Sequence, residues 1–449
     1  MSVRLHQTVL CLASGEFFLN LRYNTYVIKK VKMRLYFVIA QYFKLWAKIQ
    51  LKLWNPRIIV ITGSSGKTTT LHLLESQIGN DAHYSHHANS AFGVCFDILG
   101  LHRNTLKKSE WIALYIKAPL LAFKKPYKQK LYVVEVDCDR PKEGKFLAKL
   151  LKPHSVIWLS STQTHSANFQ NQVESKKFNN VEEAISYEFG HLIAYAKDFV
   201  ILNQDNNQIV DQGKRTNSKI SWVSKSNCKN YSVSSSGVQF LTKSGDYKIS
   251  YLLPKESYYS IEACKLILDN LNIIMDTSFN KLVLPPGRSS IFSGVKDITI
   301  VDSSYNSSAD ALKAMLALFK DFKAKSKWLV LGDILEQGSQ EESIHVGAAA
   351  DIASVGANKI ILVGPRLKKY TSPELLKIGV KKDSLVVYES PKDALDYILK
   401  EINGDETILF KGARFLEGVI EHLLADKSDV EKLCRRESIW QKRREKWGL

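Results

Sequence analysis

A glycine-rich segment that ends in lysine and threonine has the composition of a phosphate-binding loop. Residues 57–70 have the sequence Arg-Ile-Ile-Val-Ile-Thr-Gly-Ser-Ser-Gly-Lys-Thr-Thr-Thr. Glycine lets backbone N–H groups close around an anion, lysine neutralises phosphate charge, and a threonine hydroxyl is a ligand for Mg2+. Two residues separate Gly63 from Gly66, whereas four separate the glycines of the common G-x-x-x-x-G-K-[ST] loop. The segment therefore predicts a short variant of the nucleotide-binding loop.

The residues on either side of this loop predict how it is held. Ile58–Thr62 is a continuous apolar run typical of a buried strand, and a helix-like stretch follows the loop. A helix that begins here would direct the positive end of its dipole at bound phosphate. The alternative is an ordinary strand, turn and helix that happen to contain Gly and Lys.

Short apolar runs alternate with helical patterns through most of the chain, which predicts an α/β protein with mostly parallel sheets. The predicted strands are Ile58–Thr62, Lys130–Val136, Ser155–Leu159, Phe199–Asn203, Ile298–Val301, Trp328–Leu331, Lys359–Val363, Ser384–Tyr388 and Thr407–Phe410. Alternating runs over Lys219–Leu253 predict a small antiparallel patch, and Leu284–Arg288 has the composition of a linker. We predict a central domain over 56–284 with the phosphate loop, and a Rossmann-like α/β domain over 285–425.

Composition places the chain among folded proteins of reducing compartments. It has 449 residues, of which 45% are hydrophobic and 24% charged, as in ordinary globular chains. Its six cysteines are far apart and form no CxxC pair, so neither a disulfide framework nor a zinc site is supported. We expect a cytoplasmic protein that works as a monomer, and we expect no nucleic-acid partner because no basic groove with interleaved aromatics or known module is present.

Much of the excess positive charge lies at the two ends of the chain. Residues 1–54 contain nine Lys/Arg and one acid, Glu16, and their longest apolar run, Leu35–Ala40, is too short to span a bilayer. Lys44, Lys48 and Lys52 are four residues apart, which predicts one basic face of a helix. Residues 1–55 thus form a basic amphipathic segment whose part 34–54 either lies on an anionic inner membrane surface or docks its apolar side on the protein core.

At the other end, residues 426–449 form a second basic segment. The part from Arg435 to Lys446 has a helical pattern rich in Lys and Arg, with Ile439 and Trp440 as its apolar residues. A solvated terminal helix is the favoured interpretation of this tail.

An ordered series of motifs resembles the Mur ligase family, the ATP-dependent amide-forming ligases of peptidoglycan precursor synthesis, and within it the branch that adds D-alanyl-D-alanine. The segments that are similar to family motifs are Gly63–Thr70, Asn89–Gly93, Val134–Pro141, Thr164–Phe169, Asn203–Asp205, Pro286–Arg288, Val301–Asn306, Val330–Asp333, His345 and Lys411–Arg414. They extend from residue 57 to about residue 425, in the family's order.

The resemblance implies a reaction and a set of site residues. A carboxylate attacks the γ-phosphate of ATP, and an amine then attacks the acyl phosphate to give an amide, ADP and phosphate. ATP and Mg2+ are the implied cofactors, and a small-molecule or peptidoglycan-precursor carboxylate is the implied substrate. The implied catalytic residues are Lys67, Glu135 and His165, and the implied Mg2+ ligands are Thr68, Glu135 and His165. The implied nucleotide-binding residues are Gly63, Ser64, Ser65, Gly66, Lys67, Thr68, Thr69, Arg288, Asp302 and Asn306, with Asp302 for the ribose hydroxyls.

Two departures from the family pattern leave alternatives open. Phe189 stands where many members have a carbamylated lysine that binds a second Mg2+, and Lys176, Lys177 or Glu188 are the neighbouring groups that could replace it. The family's N-terminal domain, which holds the UDP-sugar, has no counterpart in the first 55 residues. The alternatives are a ligase on the same scaffold with a folate-type or polymer-type acceptor, and a nucleotide-binding scaffold protein with impaired catalysis.

Overall fold

The computed structural model of this chain describes residues 25–86, 88–103, 109–162, 166–305, 307–335 and 337–449. Two predicted site residues, His165 and Asn306, lie outside these ranges. The chain forms two compact units: the first comprises the chain up to Leu71 with Ile78–Ser161 and Glu183–Trp222, and the second comprises His72–Gln77, Thr162–Glu182 and Val223–Leu449. The domain boundaries expected after residues 55, 284 and 425 stay predictions.

Up to residue 223 the chain alternates helices and strands, as predicted. The helices are α1 (Thr25–Trp54), α2 (Lys67–Ile78), α3 (Ala91–Leu99), α4 (Glu110–Ala122), α5 (Glu143–Leu151), α6 (Gln170–Glu174), α7 (Val181–Ala194) and α8 (Asn207–Gly213). The strands are β1 (Arg57–Thr62), β2 (Ala82–Tyr84), β3 (Leu131–Val136), β4 (Ser155–Trp158), β5 (Phe199–Asn203) and β6 (Lys219–Val223).

These six strands form one sheet in the order β2-β3-β1-β4-β5-β6. β1 pairs in parallel with β3 on one side and β4 on the other, and Thr62 lies opposite both Val136 and Trp158. The carboxyl ends of the three central strands are therefore level. Residues that follow these strands meet at one edge of the sheet, where α/β proteins bind ligands.

From residue 224 onward there is a small antiparallel sheet followed by a second α/β arrangement. The strands are β7 (Cys228–Ser234), β8 (Gly237–Thr242), β9 (Asp246–Ile249), β10 (Ser290–Ser293), β11 (Thr299–Ser303), β12 (Ser326–Gly332), β13 (Lys359–Val363), β14 (Leu385–Tyr388) and β15 (Glu406–Lys411). The helices are α9 (Tyr258–Leu271), α10 (Ala309–Asp321), α11 (Glu341–Ser354), α12 (Ser372–Lys377), α13 (Pro391–Glu401), α14 (Leu416–Leu423) and α15 (Ser438–Glu445).

The predicted Rossmann-like architecture of the C-terminal part is confirmed. Its sheet has the order β10-β11-β15-β12-β13-β14, with β10 antiparallel to β11 and the other pairs parallel. The predicted antiparallel patch is shorter than expected. It contains β7, β8 and β9, whereas Lys219–Val223 is the edge strand of the first sheet.

Helix α1 docks on the first unit with one long side. Phe43 and Ala47 are fully buried, and the Phe43 ring lies 4.9 Å from that of Phe96 in α3. The three lysines of the predicted basic face differ in their exposure. Lys44 is buried because its Nζ donates to the Phe146 carbonyl at 2.6 Å and lies over that ring, while Lys48 and Lys52 are exposed. The core-docking alternative therefore describes this side of the helix.

The basic tail is packed in part, so the expectation of a solvated terminal helix is wrong for Arg444, whereas the other residues of α15 are half-buried or exposed. Leu433 and Cys434 are buried, and Arg444 is only 5% exposed. The Arg444 guanidinium donates to the Arg435 carbonyl at 2.7 Å and lies 4.0 Å from the buried Glu417 carboxylate of α14. Charged residues of the tail thus serve as partners for acids of α14 and do not simply face solvent.

Candidate active site

The phosphate loop connects β1 to α2 through two glycines that no other residue replaces easily. Gly63 and Gly66 have φ values of +125° and +81°, a region that side chains disfavour. A Cβ at Gly63 would also lie 2.7 Å from the Ser160 carbonyl oxygen. The loop backbone at Gly63 therefore packs directly against the segment that follows β4, and a side chain would not fit between them.

Ser160 fixes the shape of this loop. Its carbonyl accepts a hydrogen bond from the Ser64 N–H at 3.1 Å, and its Oγ accepts from the Ser65 N–H at 2.8 Å. The same hydroxyl donates to the Ser65 carbonyl at 2.8 Å. Ser160 belongs to none of the recognised motifs, but its position just beyond β4, beside β1, is the signal that could have identified it.

Lys67 is the first residue of α2, so its side chain starts at the positive end of the helix dipole. Its Nζ lies 2.8 Å from the Asp137 carboxylate and donates to the Gly63 carbonyl at 2.5 Å. Lys67 and Asp137 are both largely buried. Sequence reasoning missed Asp137 as a site residue, although it lies two residues after Glu135 in a motif singled out for other reasons.

Two predicted magnesium ligands are brought together where the first turn of α2 meets β3. Thr68 Oγ1 donates to Glu135 Oε2 at 3.2 Å. Ser85 supports the carboxylate-bearing residue, since its Oγ accepts from the Glu135 N–H at 2.9 Å. A hydroxyl and a carboxylate side by side are the hard oxygen ligands that Mg2+ prefers, so the residues present fit this ion. The third predicted ligand, His165, lies outside the described residues.

The second unit contains a separate cluster around Asp302 at the end of β11. Asp302 is fully buried; its Oδ1 accepts from the Ser304 N–H at 2.9 Å, and its Oδ2 receives no hydrogen bond from the described residues. Burial raises the pKa of Asp302. A fully buried carboxylate oxygen with unused acceptor capacity fits a ligand that donates hydroxyl groups, such as a ribose.

Arg288 and Lys411 bring positive charge to the Asp302 cluster. The Arg288 guanidinium lies over the Tyr305 ring at 4.8 Å, and the Lys411 Nζ donates to the Ser303 carbonyl at 3.3 Å. Burial, with the charge of Arg288, lowers the pKa of Lys411 to about 7, although Asp302 opposes this shift.

The motif residues Asp333, His345 and Arg414 are held in a network of their own. Asp333 accepts from the Arg414 Nε at 2.9 Å and from the Leu367 N–H at 3.1 Å. His345 is buried; its Nε2 accepts from the Ile334 N–H at 3.3 Å, so its Nδ1 carries the hydrogen that is donated to the Glu341 carbonyl at 2.7 Å. These bonds describe a structural role for His345.

Phe189 belongs to the core of the first unit. The residue is fully buried in α7, and its ring centroid lies 5.9 Å from that of Trp158. The neighbouring Glu188 accepts a hydrogen bond from the Lys142 N–H at 2.8 Å, while Lys176 and Lys177 are exposed. None of these contacts assigns a replacement for the carbamylated lysine.

A phosphate loop at the carboxyl edge of a parallel sheet, followed by a second α/β unit with a buried carboxylate and two cations, defines a nucleotide-binding α/β protein. Two profiles of one family match it: the Mur ligase middle domain over residues 61–258, and the Mur ligase glutamate ligase domain over residues 287–414. The chain belongs to the Mur ligase family, whose members are ATP-dependent ligases that form amide bonds. The predictions of the family, of an amide ligase and of ATP and Mg2+ as cofactors are confirmed.

Several curated relatives carry one name, UDP-N-acetylmuramoyl-tripeptide–D-alanyl-D-alanine ligase. The protein from Bacillus subtilis is 23% identical over 390 residues, which cover 84% of this chain and 78% of that protein. The protein from Escherichia coli is 22% identical over 377 residues, with 80% and 74% covered.

Solved structures support the fold. The MurF ligase from Thermotoga maritima in complex with ADP has a TM-score of 0.68 at 18% identity and covers 88% of this chain and 84% of its own. FolC from Escherichia coli, in complex with DHPP and ADP, has a TM-score of 0.55 at 15% identity, with 92% and 94% covered.

Proposed function

We propose that this protein joins an amino acid or dipeptide to the carboxylate of a peptidoglycan precursor, with D-alanyl-D-alanine and a UDP-N-acetylmuramoyl-tripeptide as the first pair to test. The observation that carries the proposal is the phosphate loop, where Lys67 donates to the Gly63 carbonyl and Thr68 contacts Glu135 of β3. The shared name of the curated relatives supports this substrate pair. The fold likeness to FolC keeps a different acceptor as the second candidate.

Each site residue has a task that its environment suits. Lys67, which is charged and largely buried, would neutralise the β- and γ-phosphates, and the N–H groups of the first turn of α2 would bind their oxygens. Thr68 and Glu135 would hold Mg2+, which when bound screens the repulsion between the attacking carboxylate and the phosphate. Asp302 would accept the ribose hydroxyls, and Arg288 and Lys411 would face anionic groups of the nucleotide.

The test is phosphate release by the purified full chain with Mg-ATP, offered the tripeptide and the dipeptide together and singly. We expect release that needs both substrates, together with an amide product detected by mass spectrometry. Lys67→Ala should reduce the rate by about a hundredfold or more, since one preorganised positive charge at the phosphates is lost. Lys381→Ala, which changes an exposed lysine of the second unit, is the matched control and should leave the rate unchanged.

The outcomes separate the candidate functions. Release with folate-type or other acceptors, but not with the tripeptide, would favour the second candidate. Binding of ADP without phosphate release with any acceptor would contradict the ligase proposal and favour a nucleotide-binding scaffold. Retention of full activity in Lys67→Ala would contradict the assigned site.

We also propose that the ligase acts as a monomer, and that residues 34–54 contact the inner membrane surface peripherally. None of the described helices is long and apolar enough to cross a bilayer. Arg34, Lys48 and Lys52 are exposed on α1, on the side away from the buried Phe43 and Ala47. Their charge is the support for contact with anionic lipid.

A further inference from the structure

Helix α4 carries a row of large apolar side chains that face solvent. Ile112, Ile116 and Leu120 are spaced by four residues, so they lie on one face of the helix. These three and Phe123, which follows the helix, are each between 61% and 69% exposed. Single exposed apolar residues are ordinary in folded proteins, but a contiguous row marks an interaction surface.

A second apolar row lies on the outer side of α1. Val31, Val38 and Leu45 are seven residues apart, which places them on one stripe, and they are 52%, 67% and 54% exposed. The stripe is on the side of the helix away from the buried Phe43 and Ala47. The stripe also lies next to α4. Tyr42 and Trp46 are close to the stripe around the helix circumference, and they contact α4 and Phe123, respectively.

A proline in α4 and a tyrosine in α1 explain how the two helices contact each other. Pro119 inside α4 has no N–H to donate to the Tyr115 carbonyl one turn earlier. The Tyr42 hydroxyl of α1 donates to that carbonyl instead, at 2.7 Å. The ring centroids of Trp46 and Phe123 are 6.5 Å apart. The two rows therefore lie on either side of one fixed helix–helix contact and form a continuous surface, which we call the α1–α4 face.

The charges around this face are predominantly positive. Residues 25–54 and 110–130, which include the whole of α4, together contain twelve Lys/Arg and one acid, Glu110, whose carboxylate lies 3.8 Å from the Arg103 guanidinium. Lys48, Lys52, Lys117, Lys125 and Lys128 are exposed. Exposed leucine, isoleucine and phenylalanine bordered by an excess of lysines are complementary to a bilayer, whose apolar layer lies beneath anionic headgroups. A second copy of this chain would have to supply a surplus of acids, which its +18 net charge does not offer.

We propose that the α1–α4 face is the surface by which this protein binds anionic membranes, with Ile116, Leu120 and Phe123 entering the headgroup layer. The inference rests on the proposed peripheral membrane contact and extends it from residues 34–54 to helix α4. It assigns no part to Lys44, because that ammonium is engaged with Phe146. It is independent of the ligase activity, since the face contains none of the candidate site residues.

The test is cosedimentation of the purified full chain with vesicles of phosphatidylglycerol and phosphatidylethanolamine, compared with vesicles of phosphatidylcholine alone. We expect binding to the anionic vesicles that weakens as salt is raised. The double variant Ile116→Glu/Leu120→Glu should bind at least about tenfold more weakly, since two inserted apolar side chains become charged. Ile274→Glu is the matched control, since Ile274 is 97% exposed in the second unit and should change nothing.

Four further measurements make the result unambiguous. Thermal unfolding and ADP binding of the double variant should equal those of the wild type, which excludes misfolding as the cause of lost binding. Lys48→Glu/Lys52→Glu probes α1 alone: if it abolishes binding while the α4 variant binds normally, the membrane contact stands and the role of α4 is wrong. Light scattering tests whether the face is instead an interface between two copies of the protein. If the wild type forms a dimer, does not bind vesicles, and becomes a monomer in the α4 variant, the membrane proposal is overturned in favour of a protein interface.

Discussion

The lysine of the phosphate loop has an anionic partner within the protein. Lys67 Nζ lies 2.8 Å from the Asp137 carboxylate, and both side chains are about 10% exposed. Breaking a buried ion pair by removing one partner leaves the other charge uncompensated. Asp137 therefore stabilises the Lys67 ammonium and would compete with phosphate for it.

This competition predicts that Asp137→Asn tightens nucleotide binding. Removing the carboxylate frees Lys67 and removes a charge that repels phosphate, which we expect to lower the dissociation constant for Mg-ADP by roughly fivefold, from an interaction of about 1 kcal/mol. The unliganded protein should unfold at a lower temperature. Isothermal titration and thermal unfolding measure the two effects.

Asp139→Asn makes the same chemical change two residues away and serves as the control, because the Asp139 carboxylate lies 3.8 Å from the Arg140 guanidinium. Weaker Mg-ADP binding in Asp137→Asn alone would contradict the competition and place Asp137 among the groups that hold the nucleotide or its metal.

Glu143 predicts a pH dependence of stability. It is fully buried, it accepts from the Tyr36 hydroxyl at 2.8 Å and from the Ala91 N–H at 2.9 Å, and burial raises its pKa to about 7 despite the opposing charge of Arg140. Between pH 4.5 and 7 the folded protein therefore keeps a proton that the unfolded chain has released. By linkage, the stability that this group contributes is complete below pH 4.5 and is lost as pH rises to 7.

The variant Glu143→Gln should remove this dependence. We expect it to raise the free energy of unfolding by up to about 3 kcal/mol at pH 8 and to have little effect at pH 4. Urea unfolding at the two pH values measures the difference, with the exposed Glu174→Gln as the control. Equal effects of Glu143→Gln at both pH values would show that the carboxyl group does not titrate as described.

At the scale of elements, apolar periodicity predicted most strands of the two α/β sheets. It did not predict strands whose sequences lack an apolar run. β2 has only three residues, Ala-His-Tyr, and joins the sheet through pairing with β3. Strand β6 was assigned to the antiparallel patch because its sequence alternates like the strands after it, whereas the structure places it at the edge of the first sheet. Local pattern predicts that a strand exists; its sheet is decided by tertiary contacts.

The two basic terminal segments show that charge patterning, too, is a limited guide to packing. Spacing placed Lys44 with Lys48 and Lys52, yet the Phe146 carbonyl beside Lys44 comes from α5, about a hundred residues later in the chain. Likewise, the sequence around Arg444 does not predict that Glu417 is its partner. Whether a cation is solvated depends on partners that lie far away in the chain, so charge patterning alone did not predict either packing.

The packed tail has a consequence for the Asp302 cluster. Arg435 donates to the Tyr305 carbonyl at 2.6 Å and to the Glu417 carboxylate at 3.2 Å, and so connects the segment after β11 to α14. Under the proposed role of Asp302, Arg435 is a positioning residue for the ribose site. We expect Arg435→Ala to raise KM for ATP about fivefold while kcat at saturating ATP changes less than about twofold.

Steady-state kinetics against ATP concentration tests this split. Lys442→Ala, an exposed neighbour in the same tail, is the control, and Arg435→Lys should rescue only partly, because an ammonium does not reproduce the guanidinium's two-partner geometry. A fall in kcat without a change in KM would contradict a positioning role at the nucleotide.

At the scale of the whole molecule, the sequence predicted the family because its motifs are local and ordered. The same motifs select Lys67, Thr68 and Glu135 as candidate site residues, and the structure brings Thr68 of α2 into contact with Glu135 of β3. Ser160 and Asp137 were not identified, because their importance comes from where β4 and β3 end beside the loop. The α4 row was missed for a simpler reason: an apolar helix in an α/β chain is normally a buried one.

The whole chain thus combines a ligase site with a basic, apolar face on α1 and α4, and their combination predicts a preference for acceptors held on membranes. Binding to a vesicle raises the local concentration of enzyme around any acceptor anchored there. We expect faster ligation with an acceptor linked to a lipid in phosphatidylglycerol vesicles than with the same acceptor in solution. In Ile116→Glu/Leu120→Glu this advantage should disappear, while the rate with the soluble acceptor stays at the wild-type value. If the variant loses both rates equally, the face serves the catalytic unit itself; if the wild type shows no advantage on vesicles, membrane binding does not present the acceptor.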